Sequence, residues 1–373
     1  MLKKYSLRNY KFRLIIYVCI LTIIGIMIIG SAEKSVQNKQ ILGFVLGIIV
    51  MVAVSLMDYS YLLKFKWVYY FGTIGLLLMV KFMGVTVGGA QRWFKIPIIG
   101  IQFQPSELAK IVIILIIADF FNRYHEKINS LKTLLMAFVI TVPPLLLILK
   151  QPDTSTTLLI LFILIVLLFI AGLSYKIILT VMGVAIPVGI IAISYILRHA
   201  DELISAKHYQ VKRIMGWLDP TNPKYSDYAM QQRNSIVAIG SGQLWGKGLN
   251  NSVATSVKNA DYILEPQTDF IFAVTGEELG FVGCLVVIIL ILLIVLECIL
   301  IARKAKDLTG QLICCGMAAL IGFQTIINVS VASGLMPNTG IPLPFISYGL
   351  TSLVSLYLGI GFVLNVGLQP KKY

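Results

Sequence analysis

The sequence predicts an all-α polytopic membrane protein with about ten transmembrane helices and one long extracellular loop between the seventh and eighth. Composition is the first reason: of 373 residues, 58% are hydrophobic and 13% are charged, whereas a soluble domain carries roughly 25% charged residues. The mean hydropathy of +0.87 agrees. The second reason is a series of apolar runs of roughly 17–25 residues, the length that a helix needs to cross a bilayer.

The first apolar run covers residues 14–30 and follows a basic N-terminal segment. A secretory signal peptide is one interpretation of this pattern, with Gly30-Ser31-Ala32 as a weak cleavage site. A signal peptide usually has an apolar core of only about 7–15 residues. This run is longer, so we expect a retained first helix.

Nine further apolar segments complete the predicted set. The segment at 107–121 is short and carries Glu107 and Lys110, so we expect it to border a wet cavity rather than lipid. The others are 41–57, 67–85, 133–149, 156–173, 177–197, 270–302, 311–335 and 345–367. Most lysines and arginines of the short connections fall on the side of the N-terminus, and the positive-inside rule then predicts that both termini are cytoplasmic.

One connection is much longer than the rest. Residues 198–268 form a predicted outer loop of mixed composition, and structured loops of this length are usually functional. Within it, residues 240–249 contain four glycines, a density that suits tight turns or a close approach of backbone. Ordinary turns are the favoured interpretation, and a phosphate-binding loop is the alternative.

Several classes of function lack support in the composition. The net charge of +14 is dispersed over segment ends rather than clustered with aromatic residues, so we expect no nucleic acid as a partner. The three histidines form no cluster, which argues against a histidine-based metal site or triad. The five cysteines all fall in apolar segments and are interpreted as free, buried thiols.

Three carboxylates collect where the chain re-enters the membrane after the long loop. They are Asp261, Glu265 and Asp269, and the apolar run Phe-Ile-Phe-Ala follows the last of them directly. A carboxylate at the membrane edge loses hydration, so its charge is costly unless a partner or a task stabilises it. Asp269 is therefore the leading functional candidate, whereas Asp261 and Glu265 also fit an ordinary acidic loop.

Other polar groups are predicted on the same membrane face, in the loop 86–106, in the turn 150–157 and in the segment 336–349. Proline and glycine near the last of these imply irregular backbone, which a membrane tolerates only inside protein or beside a water-filled cavity. A cavity that opens outward is the simplest interpretation. The alternatives are that Arg92-Trp93 is an interfacial anchor and that Glu107 and Lys110 pair with each other.

A set of separated motifs resembles the SEDS family (shape, elongation, division and sporulation), close to the RodA and FtsW polymerases, over nearly the whole length. We therefore expect one SEDS-type membrane domain over residues 1–373. The motifs are Arg92-Trp93 with Gln104-Pro105-Ser106-Glu107 and Lys110; Gln151-Pro152-Asp153; Gly240-Ser241-Gly242 with Gly246-Lys247-Gly248-Leu249; Thr268-Asp269-Phe270-Ile271-Phe272 with Glu277-Glu278-Leu279-Gly280; and Gly334-Leu335-Met336-Pro337 with Leu343-Pro344-Phe345-Ile346-Ser347-Tyr348-Gly349.

The resemblance implies a peptidoglycan glycosyltransferase of the bacterial plasma membrane, which polymerises lipid II, the undecaprenyl-diphosphate disaccharide-pentapeptide, at the outer face. It also implies a class B penicillin-binding protein and other cell-wall morphogenesis membrane proteins as partners. The essential acidic residue of the family matches Asp269, its upstream acidic position matches Asp261, and its loop tryptophan matches Trp93. The chain departs from the family pattern at Ser155, Gln267 and Leu350, which indicates a divergent paralogue.

The chemistry assigns hypothetical roles to these residues. Asp269 is predicted to act as a general base on the acceptor hydroxyl. Asp261 or Glu265 is predicted to tune that carboxylate or to help hold a divalent cation, Mg²⁺ or Mn²⁺, with Asp261 and Asp269 as possible ligands and no organic cofactor. Arg92, Lys110, Arg213 and Lys247 are candidates to stabilise the departing diphosphate, and Trp93, Glu107 and Ser347 are further candidates to contact substrate.

Two other functions fit the same pattern. A lipid II flippase would also need a helix bundle with intramembrane charge and broken helices, although an acidic cluster at the outer edge suits it less than a midplane site. A catalytically inactive scaffold of the cell-wall synthesis complex is the third interpretation.

Overall fold

The computed structural model describes residues 10–87, 90–95, 102–199, 209–250, 256, 263 and 265–369. The chain begins with helices α1 (Phe12–Ala32), α2 (Lys34–Leu56), the single turn α3 (Tyr59–Leu62) and α4 (Lys66–Met83). Two carboxylates cap the N-termini of the helices that follow them. Glu33 accepts a hydrogen bond from the backbone of Ser35 at the start of α2, and Asp58 accepts one from Ser60 at the start of α3, which satisfies amide groups that a helix leaves unpaired.

A small antiparallel sheet follows α4 where only a loop was expected. Its strands are β1 (Val85–Val87), β2 (Ala90–Lys95) and β3 (Gln102–Phe103), in the order β1-β2-β3. Val85 pairs with Trp93, and Phe94 pairs with Phe103. The sheet therefore fixes the neighbours Arg92 and Trp93 on a strand rather than on a flexible loop.

Four longer helices form the middle of the chain: α5 (Pro105–Arg123), α6 (Leu131–Lys150), α7 (Thr154–Ile170) and α8 (Tyr175–Arg198). Nearly all of α5 is buried, including the side chains of Glu107 and Lys110. This agrees with the expectation that α5 does not face lipid, because intramembrane charges are tolerated where they turn toward protein.

The long predicted loop contains two helices in its described part, α9 (Tyr209–Leu218) and α10 (Ser226–Ser241). Three apolar helices then complete the chain: α11 (Ile271–Ala302), α12 (Leu308–Ala332) and α13 (Leu350–Leu368). The predicted last span began at residue 345, but the helix begins at Leu350, because residues 341–349 form an irregular segment with Phe345 at a positive φ of 64°.

The chain is a multi-pass membrane protein. Each of the ten predicted segments coincides with a helix, and seven of these helices are long and apolar enough to cross a membrane. Helices α7 and α8 qualify only as shorter apolar helices, and α5, with its charged side chains, is not among the seven. The number of ten crossings stays a prediction.

Helix α11 is broken at Gly280, which has φ 67° and ψ −165°. The segment 243–248 supplies hydrogen-bond partners to the backbone groups on both sides of the break. The amides of Lys247 and Gly248 donate to the carbonyls of Glu277 and Glu278, both at 2.9 Å, and the carbonyls of Gln243 and Leu244 accept from the amides of residues 281 and 282. Backbone groups that lose their helical hydrogen bonds inside a membrane must be paired with other protein groups. The glycine-rich segment provides those partners for α11.

Candidate active site

A cavity of about 170 Å³ lies where five separate parts of the chain meet at the ends of the helices. Six of the candidate site residues line it, namely Arg92, Trp93, Glu107, Arg213, Glu265 and Asp269. The other lining residues are Gln104, Asp153, Thr156, Thr268, Gly340, Pro342, Tyr348, Gly349 and Ser352. The outer polar segments thus converge on a single space.

Asp269 lies in a turn two residues before α11 begins. Its backbone carbonyl accepts a hydrogen bond from Asn328 Nδ2 at 2.9 Å, and the same nitrogen donates to the carbonyl of Ile341 at 2.8 Å. Asn328 is buried in α12. One amide therefore fixes the backbone of Asp269 and the irregular segment 341–349 to the same helix.

Gly340 lies between the carboxylate of Asp269 and the guanidinium of Arg213. A Cβ at residue 340 would lie 3.4 Å from Asp269 Oδ2 and 3.6 Å from Arg213 Nη1. The φ of Gly340 is +73°, a conformation that glycine adopts without steric cost. Arg213 Nη1 also donates to the carbonyl of Asn338 at 3.2 Å, so α9 and the segment around Gly340 are joined beside Asp269.

Burial raises the pKa of Asp269 above its usual value. Among the neighbouring charges, the Arg213 and Arg92 guanidiniums lower this pKa, whereas the Glu265 and Asp153 carboxylates raise it. The net direction is upward because loss of hydration disfavours the charged form. A carboxylate with a raised pKa is a stronger base than an ordinary aspartate, which suits proton abstraction.

Arg92 connects the sheet to the turn before α7. Its Nε donates to the carbonyl of Gln151 at 3.3 Å, its Nη2 donates to the carbonyl of Pro152, and its Nη1 lies 3.7 Å from Asp153 Oδ1. Asp153 in turn accepts a hydrogen bond from the amide of Thr156, which starts α7. Arg92 lines the cavity, but several of its hydrogen-bond donors are already engaged with the turn 151–153.

Glu107 and Lys110 form a buried ion pair, with Nζ and Oε1 2.8 Å apart. Glu107 lines the cavity and Lys110 does not. The pairing that the i, i+3 spacing suggested is therefore present, and it leaves Glu107 next to the cavity with its charge compensated.

Lys247 lies outside the cavity. Its Nζ is 2.7 Å from Oε1 of Glu277, a carboxylate that is buried beside the break in α11. Glu278 is also buried and accepts a hydrogen bond from the hydroxyl of Ser31 in α1. Both adjacent glutamates thus face protein, which is where charge inside a membrane is tolerated.

Ser347 supports the wall rather than lining the cavity. Its Oγ donates to the carbonyl of Thr268 and accepts from the amide of Leu343, both at 2.7 Å. The amide of Tyr348 donates to the carbonyl of Gln267 at 2.8 Å. These bonds join the turn that carries Asp269 to the segment before α13, and at Gln267 they use the backbone.

A second cavity of about 390 Å³ adjoins the first and shares five lining residues with it. The shared residues are Trp93, Glu265, Thr268, Tyr348 and Gly349. Two lysines, Lys39 at α2 and Lys95 at the end of β2, line the second cavity alone, together with Gln267 and Leu350, two positions at which the sequence departs from the family pattern.

Metal binding finds limited support in the described part of the chain. The carboxylates of Asp153, Glu265 and Asp269 line the same cavity, yet the described residues contain no group of three or more side chains arranged to hold a metal ion. Asp261, the other predicted ligand, lies outside the described residues. The set of ligands is therefore incomplete as far as the structure describes it.

Sequence reasoning missed Asn328, Lys39 and Lys95 as site residues. A usable signal existed for Asn328, because an amide in the middle of an apolar helix needs polar partners in the protein interior. The sequence marks the two lysines only as basic residues of outer connections, and the fold makes them site candidates because it places α2 and the end of β2 at the same cavity.

A family model described as cell cycle protein, FtsW/RodA/SpoVE, matches residues 7–372. The probable peptidoglycan glycosyltransferase FtsW of Geobacter sp. (strain M18) is 32% identical and covers 97% of this chain and 98% of its own length. A solved chain of a peptidoglycan synthase complex that coordinates polymerization and crosslinking is 28% identical, with TM-score 0.76 and coverage of 96% and 97%. The crystal structure of Thermus thermophilus RodA is 26% identical, with TM-score 0.68 and coverage of 96% of both chains.

Proposed function

The chain belongs to the FtsW/RodA/SpoVE family of cell cycle proteins, and we propose that it is a peptidoglycan glycosyltransferase that polymerises lipid II with Asp269 as the general base. The observation that carries the proposal is the position of the Asp269 carboxylate. It lies beside Arg213 in a cavity at the entrance to α11, and burial raises its pKa.

The proposed reaction joins an acceptor sugar hydroxyl to the anomeric carbon of a second lipid-linked sugar. A carbon–oxygen bond forms at that carbon, and the bond to the lipid diphosphate breaks and leaves its electron pair on the diphosphate. The hydroxyl proton passes to Asp269, a step that typically contributes about 10²–10⁴-fold to the rate. Arg213 is proposed to stabilise the charge on the diphosphate, since its guanidinium lies across Gly340 from Asp269.

Two substrates must meet for this reaction, and the pair of adjoining cavities supports that requirement. The residues shared by both cavities, Trp93 and Glu265 among them, lie where the reacting ends would come together. Lys39 and Lys95 give the second cavity a positive charge suited to a diphosphate. Holding both lipid-linked ends in adjacent sites would supply much of the remaining acceleration through proximity.

A divalent cation, Mg²⁺ or Mn²⁺, stays part of the proposal as an auxiliary group. Asp269 and Glu265 offer the carboxylate oxygens that such ions prefer. When bound, the ion would offset the negative charge that develops on the departing diphosphate.

We further propose the bacterial plasma membrane as the location, with both termini cytoplasmic and the cavity at the outer face. The distribution of basic residues supports this orientation. A class B penicillin-binding protein is the proposed partner, together with other cell-wall morphogenesis membrane proteins. Likeness to a chain of a complex that couples polymerization to crosslinking supports such a partnership.

The test is an assay of purified protein with labelled lipid II, run with and without the cognate penicillin-binding protein. We expect long glycan strands from the wild-type protein and none from Asp269→Ala. Asp219→Asn is the control for loss of an aspartate charge, because Asp219 lies in the long segment 198–268 that precedes Asp269 and does not line the cavity.

The same preparation in liposomes separates the alternatives. Movement of lipid II across the membrane without any glycan product would show that the protein is a flippase and not a glycosyltransferase. Neither product nor movement, with the penicillin-binding protein present, would favour the scaffold.

A further inference from the structure

A groove of about 700 Å³ lies at the opposite end of α5 from the active-site cavity and shares no residue with it. It is formed by the start of α4, the end of α5 and the first half of α6. Its lining is apolar along most of its length and basic at one end. The lining residues are Lys66, Trp67, Phe120, Arg123, Tyr124, Leu131, Lys132, Leu135, Met136, Val139 and Ile140.

The charges at the basic end are not balanced. Lys66 and Arg123 both contact one carboxylate, Asp119, and the Arg123 contact runs from Nε to Oδ2 at 2.8 Å. Within the described part of the chain, Lys132 has no ion-pair partner, and the terminal nitrogens of the exposed Arg123 side chain have none either. Three cations therefore face one anion, which leaves about two positive charges over the groove.

The apolar part is open to the surroundings of the protein. Leu131, Leu135 and Val139 project from one face of α6 and are each more than half exposed. Trp67 and Tyr124 lie beside the cations, with Lys66 Nζ 5.7 Å from the centre of the Trp67 ring. Aromatic and basic residues at this level are typical of a membrane interface, here on the face that the positive-inside rule predicts to be cytoplasmic.

We propose that this groove binds an anionic phospholipid of the cytoplasmic leaflet. Arg123 and Lys132 bind the phosphate, and an acyl chain lies along α6 over Leu135 and Val139. Charge complementarity selects this occupant, because basic pockets between transmembrane helices suit anionic headgroups and the ammonium group of a zwitterionic lipid would meet net positive charge. The proposal is independent of the glycosyltransferase activity.

Trp67 provides a direct readout, since it lines the groove. Full-length protein in mixed micelles is titrated with phosphatidylglycerol or phosphatidylcholine that carries brominated acyl chains, which quench tryptophan fluorescence on contact. The Trp67→Phe variant isolates the contribution of Trp67 from those of the other three tryptophans. We expect the Trp67 signal to report at least about fivefold tighter binding of phosphatidylglycerol.

The Arg123→Gln, Lys132→Gln double variant should reduce that preference to about one, because each basic side chain near the surface contributes roughly fivefold. Lys176→Gln is the control: it removes a positive charge from an exposed residue at the start of α8, outside the groove, and should keep the preference. Equal quenching of the Trp67 signal by both lipids, obtained as the difference between the wild-type protein and Trp67→Phe, would overturn the proposal without the double variant. A preference that survives in the folded double variant would overturn it as well.

Discussion

Asp269 combines a partly buried carboxylate with charged neighbours of both signs. Burial raises its pKa, and the neighbouring charges then move that pKa in opposite directions. Arg213 and Arg92 lower it, whereas Glu265 and Asp153 raise it. The strength of the base is therefore adjustable through residues that need not touch the proton.

This balance predicts the pH dependence of polymerisation. Only the ionised carboxylate can accept the proton, so the rate should fall as the pH decreases through the pKa of Asp269, above the usual aspartate value of about 3.9. Arg213→Gln removes a charge that lowers the pKa of Asp269, so the acidic limb of the pH–rate profile should move to higher pH. Glu265→Gln removes a charge that raises the pKa, so the limb should move to lower pH. The measurement is the rate of glycan synthesis across pH for each variant.

Arg233→Gln is the control for charge removal, since Arg233 is exposed on α10 and lies outside the cavity. Its acidic limb should coincide with that of the wild-type protein. Shifts of the Arg213 and Glu265 variants in the same direction would show that Asp269 does not set this limb, whatever the change in maximal rate.

At the level of single residues, the sequence identifies charged groups whose desolvation cost is evident from their immediate neighbours in the chain. It misses residues whose role depends on contacts with distant parts of the chain. Asp269 was recognisable because a carboxylate directly precedes an apolar run. The hydrogen bond that fixes its backbone comes from Asn328, which lies 59 residues further along the chain. Gly340 acquires its importance only because Asp269 and Arg213 lie on either side of it.

Among the elements, α11 shows how a broken helix is stabilised inside a membrane protein. Gly280 has a left-handed backbone, and the segment 243–248 supplies hydrogen bonds on both sides of it. A Cβ at residue 280 would lie 2.3 Å from the amide nitrogen of Gly246. Glycine is therefore needed at both positions, because the two backbones are in contact. Moving either backbone away would break the hydrogen bonds between the segment 243–248 and α11.

Gly280→Ala should consequently lower the free energy of unfolding by roughly 2–4 kcal/mol, since it adds a left-handed alanine and a backbone clash. Gly322→Ala is the matched control: Gly322 lies in α12, with no atom within 4 Å of its added Cβ, and alanine is favoured by about 1 kcal/mol in a helix. Thermal unfolding of both variants in detergent measures the difference. Equal stability of the two would contradict the role assigned to the break.

The sequence predicts the apolar helices well because their hydrophobic runs are set by the thickness of the bilayer. It predicts the connections less well. The strand that carries Arg92 and Trp93 and the helices α9 and α10 were not expected. The four glycines at 240–249 suited either tight turns, the favoured interpretation, or a close approach of backbone. The structure shows the close approach, and its partner, the interrupted turn of α11 at Glu277–Gly280, is evident only from the contact between the two segments.

For the whole molecule, the cavity exists because five parts of the chain are fixed to one another by short polar contacts above an apolar bundle. Arg92 holds the sheet to the turn before α7, Ser347 holds the Asp269 turn to the segment before α13, and Asn328 holds both to α12. None of these bonds joins neighbours in sequence. The fold therefore supplies a preorganised site, and the chemistry is assigned mainly to Asp269.

The most direct test of that assignment is the rate of polymerisation by Asp269→Asn at saturating lipid II, measured together with the affinity for lipid II. Asparagine has nearly the same shape and cannot accept the proton. We predict a rate about 10²–10⁴-fold below wild type, with an affinity changed by no more than a few fold. A folded Asp269→Asn protein that polymerises lipid II at the wild-type rate would contradict the role of Asp269 as the base.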